Sequence, residues 1–103
     1  MDTAQKTKIR QDLINQLERK GVYGAQYIDL VDDYISLWEI KNSLLADIEE
    51  RGVVVEWQNG PQRGLKKNES IGELKKVNDA MLKILKALEL QPSSQELDDD
   101  EEM

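Results

Sequence analysis

The sequence contains no cysteine, no histidine and no phenylalanine, and only two prolines among its 103 residues. Without cysteine there is no disulfide, no thiolate metal site and no thiol nucleophile. Without histidine the chain lacks the usual general base near neutral pH and the commonest zinc ligand. A Ser-His or Cys-His catalytic pair is therefore impossible, and no G-x-x-x-x-G-K-[ST] segment offers a phosphate loop for ATP. No apolar run approaches the roughly 20 residues needed to span a bilayer. The start of the chain, Asp2 to Lys8, is polar, with no apolar signal region behind it. These absences predict a soluble protein that stays where it is made, without membrane, cofactor, metal or small-molecule substrate.

The net charge is −7, but it is unevenly distributed. Residues 91–103 hold six acids (Glu96, Asp98, Asp99, Asp100, Glu101, Glu102) and no base, and without them 15 acids face 14 bases. The body is nearly neutral and carries an acidic tail. An acidic whole-chain balance thus does not exclude nucleic acid, because binding depends on local basic patches.

Apolar periodicity predicts a mainly α fold in a single domain over residues 1–90. A first helix over about Thr3 to Lys20 has the stripe Ile9, Leu13, Ile14 and Leu17 and stops at Gly21. After the short turn Gly21–Gly24, a long helix runs from about Ala25 to Arg51, with stripe Ile28, Val31, Tyr34/Ile35, Trp38, Leu45 and Ile48. Its 27 residues extend about 40 Å, more than the first helix can cover, so part of its face must meet another element or subunit. Around 53–67 the period changes. Val53, Val55 and Trp57 share one face, Asn59-Gly60 signals a tight turn, and a basic arm returns from Gln62 to Lys67, with Pro61 expected to make the hairpin irregular. A third, amphipathic helix begins at Asn68 or at Ser70, where Ser70-Ile71-Gly72-Glu73 has capping-box spacing. Its seam is Leu74, Val77, Met81, Leu85 and Leu88, ending near Leu90. From Gln91 the composition reads as a disordered acidic tail.

Two clusters are candidates for phosphate contact: Lys6, Lys8 and Arg10 on the first helix, and Arg63, Lys66 and Lys67 on the return arm, with Lys75 and Lys76 shortly after. Either is also compatible with ordinary surface lysine and arginine. Repeated around an oligomer, a few cations per subunit form a charged band, and phosphate affinity grows with the number of neutralised contacts. Asp29, Asp32 and Asp33 share part of a helix surface; a two-metal nuclease needs several converging carboxylates, and a solvated face is the better reading. The same acids argue against a helix-turn-helix, since they stand where a recognition helix meets base edges, and the first two helices read as an antiparallel helical hairpin. Val31, Tyr34, Trp38, Leu45 and the third-helix seam are assigned to core or subunit packing. Trp57 packs the hairpin or lies between subunits.

Several segments resemble the small-terminase family of tailed phages and prophages, mainly of Gram-positive hosts. They are Gly24-Ala25-Gln26-Tyr27-Ile28-Asp29-Leu30-Val31-Asp32-Asp33-Tyr34, the region from Trp38 to Lys41-Asn42, the hairpin Gly52 to Gly60, and Lys66-Lys67-Asn68-Glu69-Ser70-Ile71-Gly72-Glu73-Leu74-Lys75-Lys76-Val77-Asn78 followed by Met81-Leu82-Lys83-Ile84-Leu85. Many relatives have proline after the asparagine of the Lys-Asn motif, where this chain has Glu69; both suit a first helical turn. The resemblance implies a non-enzymatic, ring-forming homo-oligomer. It would bind viral double-stranded DNA at the packaging start and engage a large ATPase/nuclease subunit, in the cytoplasm of an infected or lysogenic bacterium. It favours the N-terminal basic cluster for DNA. The tail acids Glu96, Asp98, Asp99, Asp100, Glu101 and Glu102 are candidates for a basic surface on the large subunit, for keeping DNA off the wrong face, or for solubility alone. Two rivals remain: a dimeric DNA-binding regulator, and an acidic protein that sequesters a basic partner.

Overall fold

The sequence pattern resolves into helix α1 (Thr3–Arg19), helix α2 (Ala25–Arg51), strand β1 (Val54–Asn59), strand β2 (Gln62–Lys67) and helix α3 (Glu69–Ala87). This computed structural model describes residues 3–90. The expected disorder of the tail falls on residues 91–103, outside the described residues. The mainly helical fold with a long second helix, one β-hairpin and a third helix is as the sequence predicts.

Each turn follows from local chemistry. At the end of α1, Gly21 takes φ 73°. Its N–H donates to Glu18 O and the Val22 N–H to Leu17 O, both at 2.9 Å. This is the doubly bonded helix terminus that a residue in the left-handed region permits. Helix α2 stops at Gly52, φ 85°, whose N–H donates to Ile48 O at 2.7 Å.

The core lies at one end of the molecule. Leu13 and Leu17 from α1, Val31 from α2, and Leu88 and Leu90 at the end of α3 form one buried cluster, with Val31 at 0 % exposure. Each such aliphatic side chain contributes about 1.5–3 kcal/mol by leaving water. Helix α3 starts beside the C-terminal end of α2, where Asn68 meets Asp47 and Gly52, and ends beside Val31 near its beginning. The two helices are therefore antiparallel neighbours, and α2 is the spine. Of the seam residues, Met81 and Leu88 are buried, while Leu74, Val77 and Leu85 are half-buried. Tyr34, Trp38 and Trp57 are also half-buried, and Leu45 is exposed.

The hairpin departs from expectation in two places, and the cap of α3 is decided between the two candidates. The strand begins at Val54, so Val53 lies outside it and is 59 % exposed. Its carbonyl accepts the Asn68 N–H at 2.7 Å, tying residue 53 to the hairpin base. Nor does Pro61 disturb the ladder, whose register runs unbroken from Val54↔Lys67 to Asn59↔Gln62. Gly60-Pro61 forms the two-residue connection, with Gly60 at φ 60°, the sign that the first central residue of a type II′ turn takes, so the missing proline N–H falls outside the ladder. The cap of α3 is Asn68, whose side chain accepts from Ser70 N–H, while the Ser70 hydroxyl turns away to Asp47.

The described fold measures 62 × 38 × 24 Å, with a radius of gyration of 18.5 Å. A compact chain of this length would have a radius near 12 Å. The excess reflects the long α2 spine and the hairpin at its far end. Ile40 and Leu45 on α2, and Leu82 on α3, stay exposed.

Candidate nucleic-acid interface

The strand register assigns the hairpin cations to faces. Lys67 lies opposite Val54, Leu65 opposite Glu56 and Arg63 opposite Gln58, so Arg63, Leu65 and Lys67 share one face. Four residues of strand separate Arg63 from Lys67, about 13 Å. Lys66 projects from the other face with Val55 and Trp57. Leu65 is 73 % exposed, so the face that carries Arg63 and Lys67 is open to solvent.

Acid neighbours restrain these cations weakly. Arg63 meets Glu56 at 3.9 Å, with both side chains largely exposed. Lys66 pairs with Glu69 at 3.2 Å. Among the described residues no hydrogen bond or ion pair engages the Lys67 ammonium. Exposed pairs of this kind contribute about 0–1 kcal/mol and give way readily to phosphate.

The N-terminal cluster is divided. Lys6 bonds Glu39 at 3.3 Å and Arg10 bonds Asp32 at 2.7 Å, joining α1 to α2. The Asp32 carboxylate holds the Arg10 guanidinium pKa above its ordinary value, through the hydrogen bond first and the charge second. Lys6 and Arg10 are one helical turn apart, whereas Lys8 points elsewhere, exposed. Of the later pair, Lys76 meets Glu73 at 3.3 Å and Lys75 is exposed. Asp32 is thus occupied by Arg10, and no three acids among the described residues are grouped to hold a metal ion. The tail acids Glu96, Asp98, Asp99, Asp100, Glu101 and Glu102 lie outside the described residues.

A polar junction that the sequence reading passed over holds the hairpin to the helices. The Arg51 guanidinium forks onto Asp47, Nε to Oδ1 at 2.7 Å and Nη2 to Oδ2 at 2.9 Å. Ser70 Oγ donates to Asp47 Oδ2 at 2.7 Å, and Asn68 Nδ2 donates to the same oxygen at 3.1 Å. These donors hold the Asp47 carboxyl well below the usual carboxylate range, Arg51 foremost and then Ser70. Its signals were present: the i, i+4 pair Asp47/Arg51 at a helix end, and an asparagine at a cap.

The junction has a pH signature. The folded Asp47 carboxylate keeps its charge to lower pH than the unfolded one, whose pKa is near 4. Its contribution is therefore complete above about pH 4 and is lost as pH falls below that. Urea midpoints of the wild type and Asp47→Asn should differ most at pH 6 and converge toward pH 3. A constant difference would remove the carboxylate from the junction's energetics.

Trp57 gives the hairpin its second anchor. A Cβ built on Gly64, directly across the ladder, would lie 2.6 Å from the Trp57 indole nitrogen. The ring therefore lies over the bare glycine backbone. Gly64→Ala should displace the indole outward and shift Trp57 emission to longer wavelength, read in a Trp38→Phe background. The cost should be about 1 kcal/mol, at the low end for overpacking, because the ring can swing into solvent. An unchanged spectrum would mean that the ring does not rest on this position.

Residues 7–97 match the family described as phage terminase, small subunit. The chain belongs to that family. No curated protein and no solved structure matches it. The role of a phage terminase small subunit thus attaches to a helical body whose basic hairpin stands at one end. No helix among the described residues of this small terminase is long and apolar enough to cross a membrane.

Proposed function

We propose that this chain is the non-catalytic, oligomeric adaptor of a phage genome-packaging machine. It binds viral double-stranded DNA at the packaging start and recruits or regulates the large ATPase/nuclease subunit, in the cytoplasm of the infected or lysogenic host. The family match over residues 7–97 carries this reading. Absence of histidine, cysteine and a phosphate loop from the sequence supports leaving the chemistry to the partner.

Within this reading the hairpin is the principal DNA contact. Arg63 and Lys67 stand on an open face, and their acid neighbours are distant or lacking among the described residues. Lys6 and Arg10 serve first to join α1 to α2, with Lys8 as the remaining N-terminal phosphate contact. Homo-oligomerisation into a ring is supported by the spread of the fold and by the exposed apolar side chains of α2 and α3. The tail acids engage the large subunit.

Fluorescence anisotropy tests DNA binding, using duplexes of equal length with and without the packaging start across a salt series. Binding should fall linearly in log–log form as salt rises, with the packaging-start duplex bound more tightly. No binding at the lowest salt would sink the proposal and favour an acidic sequestering protein. Tight, half-site-symmetric binding by a dimer would favour a regulator.

A further inference from the structure

The two faces of the hairpin differ. One carries Val55, Trp57, Gly64 and Lys66, and the Trp57 indole lies over the Gly64 backbone. Val55, Trp57 and Gly64 are half-buried there. The other carries Val54, Glu56 and Gln58 on β1 opposite Lys67, Leu65 and Arg63 on β2, and all six are exposed. The hairpin thus has one free face, two strands wide.

Leu65 stands in the middle of that face. It is 73 % exposed, with Arg63 and Lys67 two residues to either side and the exposed Val54 diagonally across the ladder. A lone exposed leucine is ordinary on a protein surface. This one is set between two cations on a paired strand, in a segment, residues 53–67, that holds three bases and one acid. An apolar side chain bracketed by cations matches a surface whose rims are anionic and whose floor offers apolar contact.

Duplex DNA has that form. Phosphates line its grooves, and the C5-methyl group of thymine projects from the floor of the major groove. Width selects between the two grooves. Paired strands lie about 5 Å apart, and with its side chains a two-stranded ribbon enters the major groove, about 12 Å wide, but not the minor groove, about 6 Å wide. The long stems of Arg63 and Lys67 turn outward to the rims, while the shorter Leu65 meets the floor. Glu56, directly across from Leu65, reaches the same floor, where a carboxylate accepts from the cytosine amino group. Its loose pair with Arg63, at 3.9 Å between exposed side chains, gives way readily.

We propose that the open face of the hairpin enters the major groove of duplex DNA, with Leu65 against thymine methyl groups and Arg63 and Lys67 on the flanking phosphates. This rests on the DNA-binding function proposed above and adds to it the groove entered and the residue that reads bases. Arg63 and Lys67 then set affinity, and Leu65 sets preference among sequences.

Fluorescence anisotropy of the full chain on two duplexes of one sequence tests this, one with thymidine and the other with deoxyuridine in its place throughout. The exchange removes only the C5-methyl groups and leaves the phosphates and the hydrogen-bonding edges as they were. The wild type should prefer the thymidine duplex, by about fourfold for each methyl that Leu65 covers. Leu65→Ala should abolish the preference and leave the slope of log K against log salt unchanged, because no phosphate contact is lost. Leu65→Met should retain it. The side chain is exposed, so both variants should keep the wild-type urea midpoint. Equal binding of the two duplexes by the wild type, or a preference that survives Leu65→Ala, would overturn the groove assignment while leaving DNA binding in place. Binding of neither duplex at the lowest salt would remove the DNA reading itself, and this inference with it.

Discussion

Replacing Asn68 with alanine is expected to destabilise the fold by about 2–4 kcal/mol, the largest loss among single changes at polar positions. Asn68 is the only polar residue buried in the described fold, at 0 % exposure. Its amide nitrogen donates to Asp47 Oδ2 at 3.1 Å and to Gly52 O at 3.0 Å. Its oxygen accepts from Ser70 N–H at 2.9 Å and from Arg51 Nη2 at 3.1 Å. Two donors and two acceptor sites are the whole capacity of an amide, and all are used. Alanine removes the cap bond to Ser70 N–H, worth about 1 kcal/mol, and strips its partner from Gly52 O, costing about 1–3 kcal/mol if left dry. Asp47 and Arg51 are partly exposed, at 30 % and 50 %, so water can replace their lost bonds, which holds the total below the sum. The urea midpoint measures the loss, and hydrogen exchange of the β1 and β2 amides should accelerate with it. A change under about 0.5 kcal/mol would mean that the network is ornamental to stability.

Exchanging Arg63, Lys66 and Lys67 together for glutamine is expected to weaken DNA binding on the order of a hundredfold at 0.1 M salt. Each phosphate contact contributes about 0.9 to the slope of log K against log salt, or nearly tenfold between 0.1 and 1 M. Loss of the two contacts on the open face, Arg63 and Lys67, should lower that slope by about 1.8, with Lys66 on the opposite face adding at most one contact more. Lys6→Gln and Arg10→Gln break the pairs to Glu39 and Asp32. They should therefore act mainly on stability, by at most about 1 kcal/mol each, and only slightly on the slope. The hairpin variant should keep its folding midpoint, because these side chains are exposed. If the slope fell with Lys6 and Arg10 but not with the hairpin variant, the DNA contact would have to move to α1.

How much of this the sequence discloses depends on the range of the interaction responsible. The helices were legible because Ile9, Leu13 and Leu17, or Leu74, Val77, Met81 and Leu88, repeat at the helical period, and glycine stands at the end of α1 and of α2. The start of α3 was ambiguous between Asn68 and Ser70. Tertiary contact decides it: Ser70 is drawn to Asp47, 23 residues earlier, and cannot cap. Pro61 was misjudged because its cost depends on whether its nitrogen faces the ladder or the turn, and register decides that. The two basic clusters looked equivalent as strings of cations. They differ in space because Asp32 and Glu39 face α1, whereas Lys67 meets no described acid.

Light scattering of the purified chain, at two concentrations and two salt strengths, tests the central claim most directly. The account predicts a discrete mass many times the 11.8 kDa of one chain, unchanged by dilution. A stable monomer or dimer would contradict it, leaving the exposed faces of α2 and α3 without their second copy and the hairpin cations without a ring to multiply them.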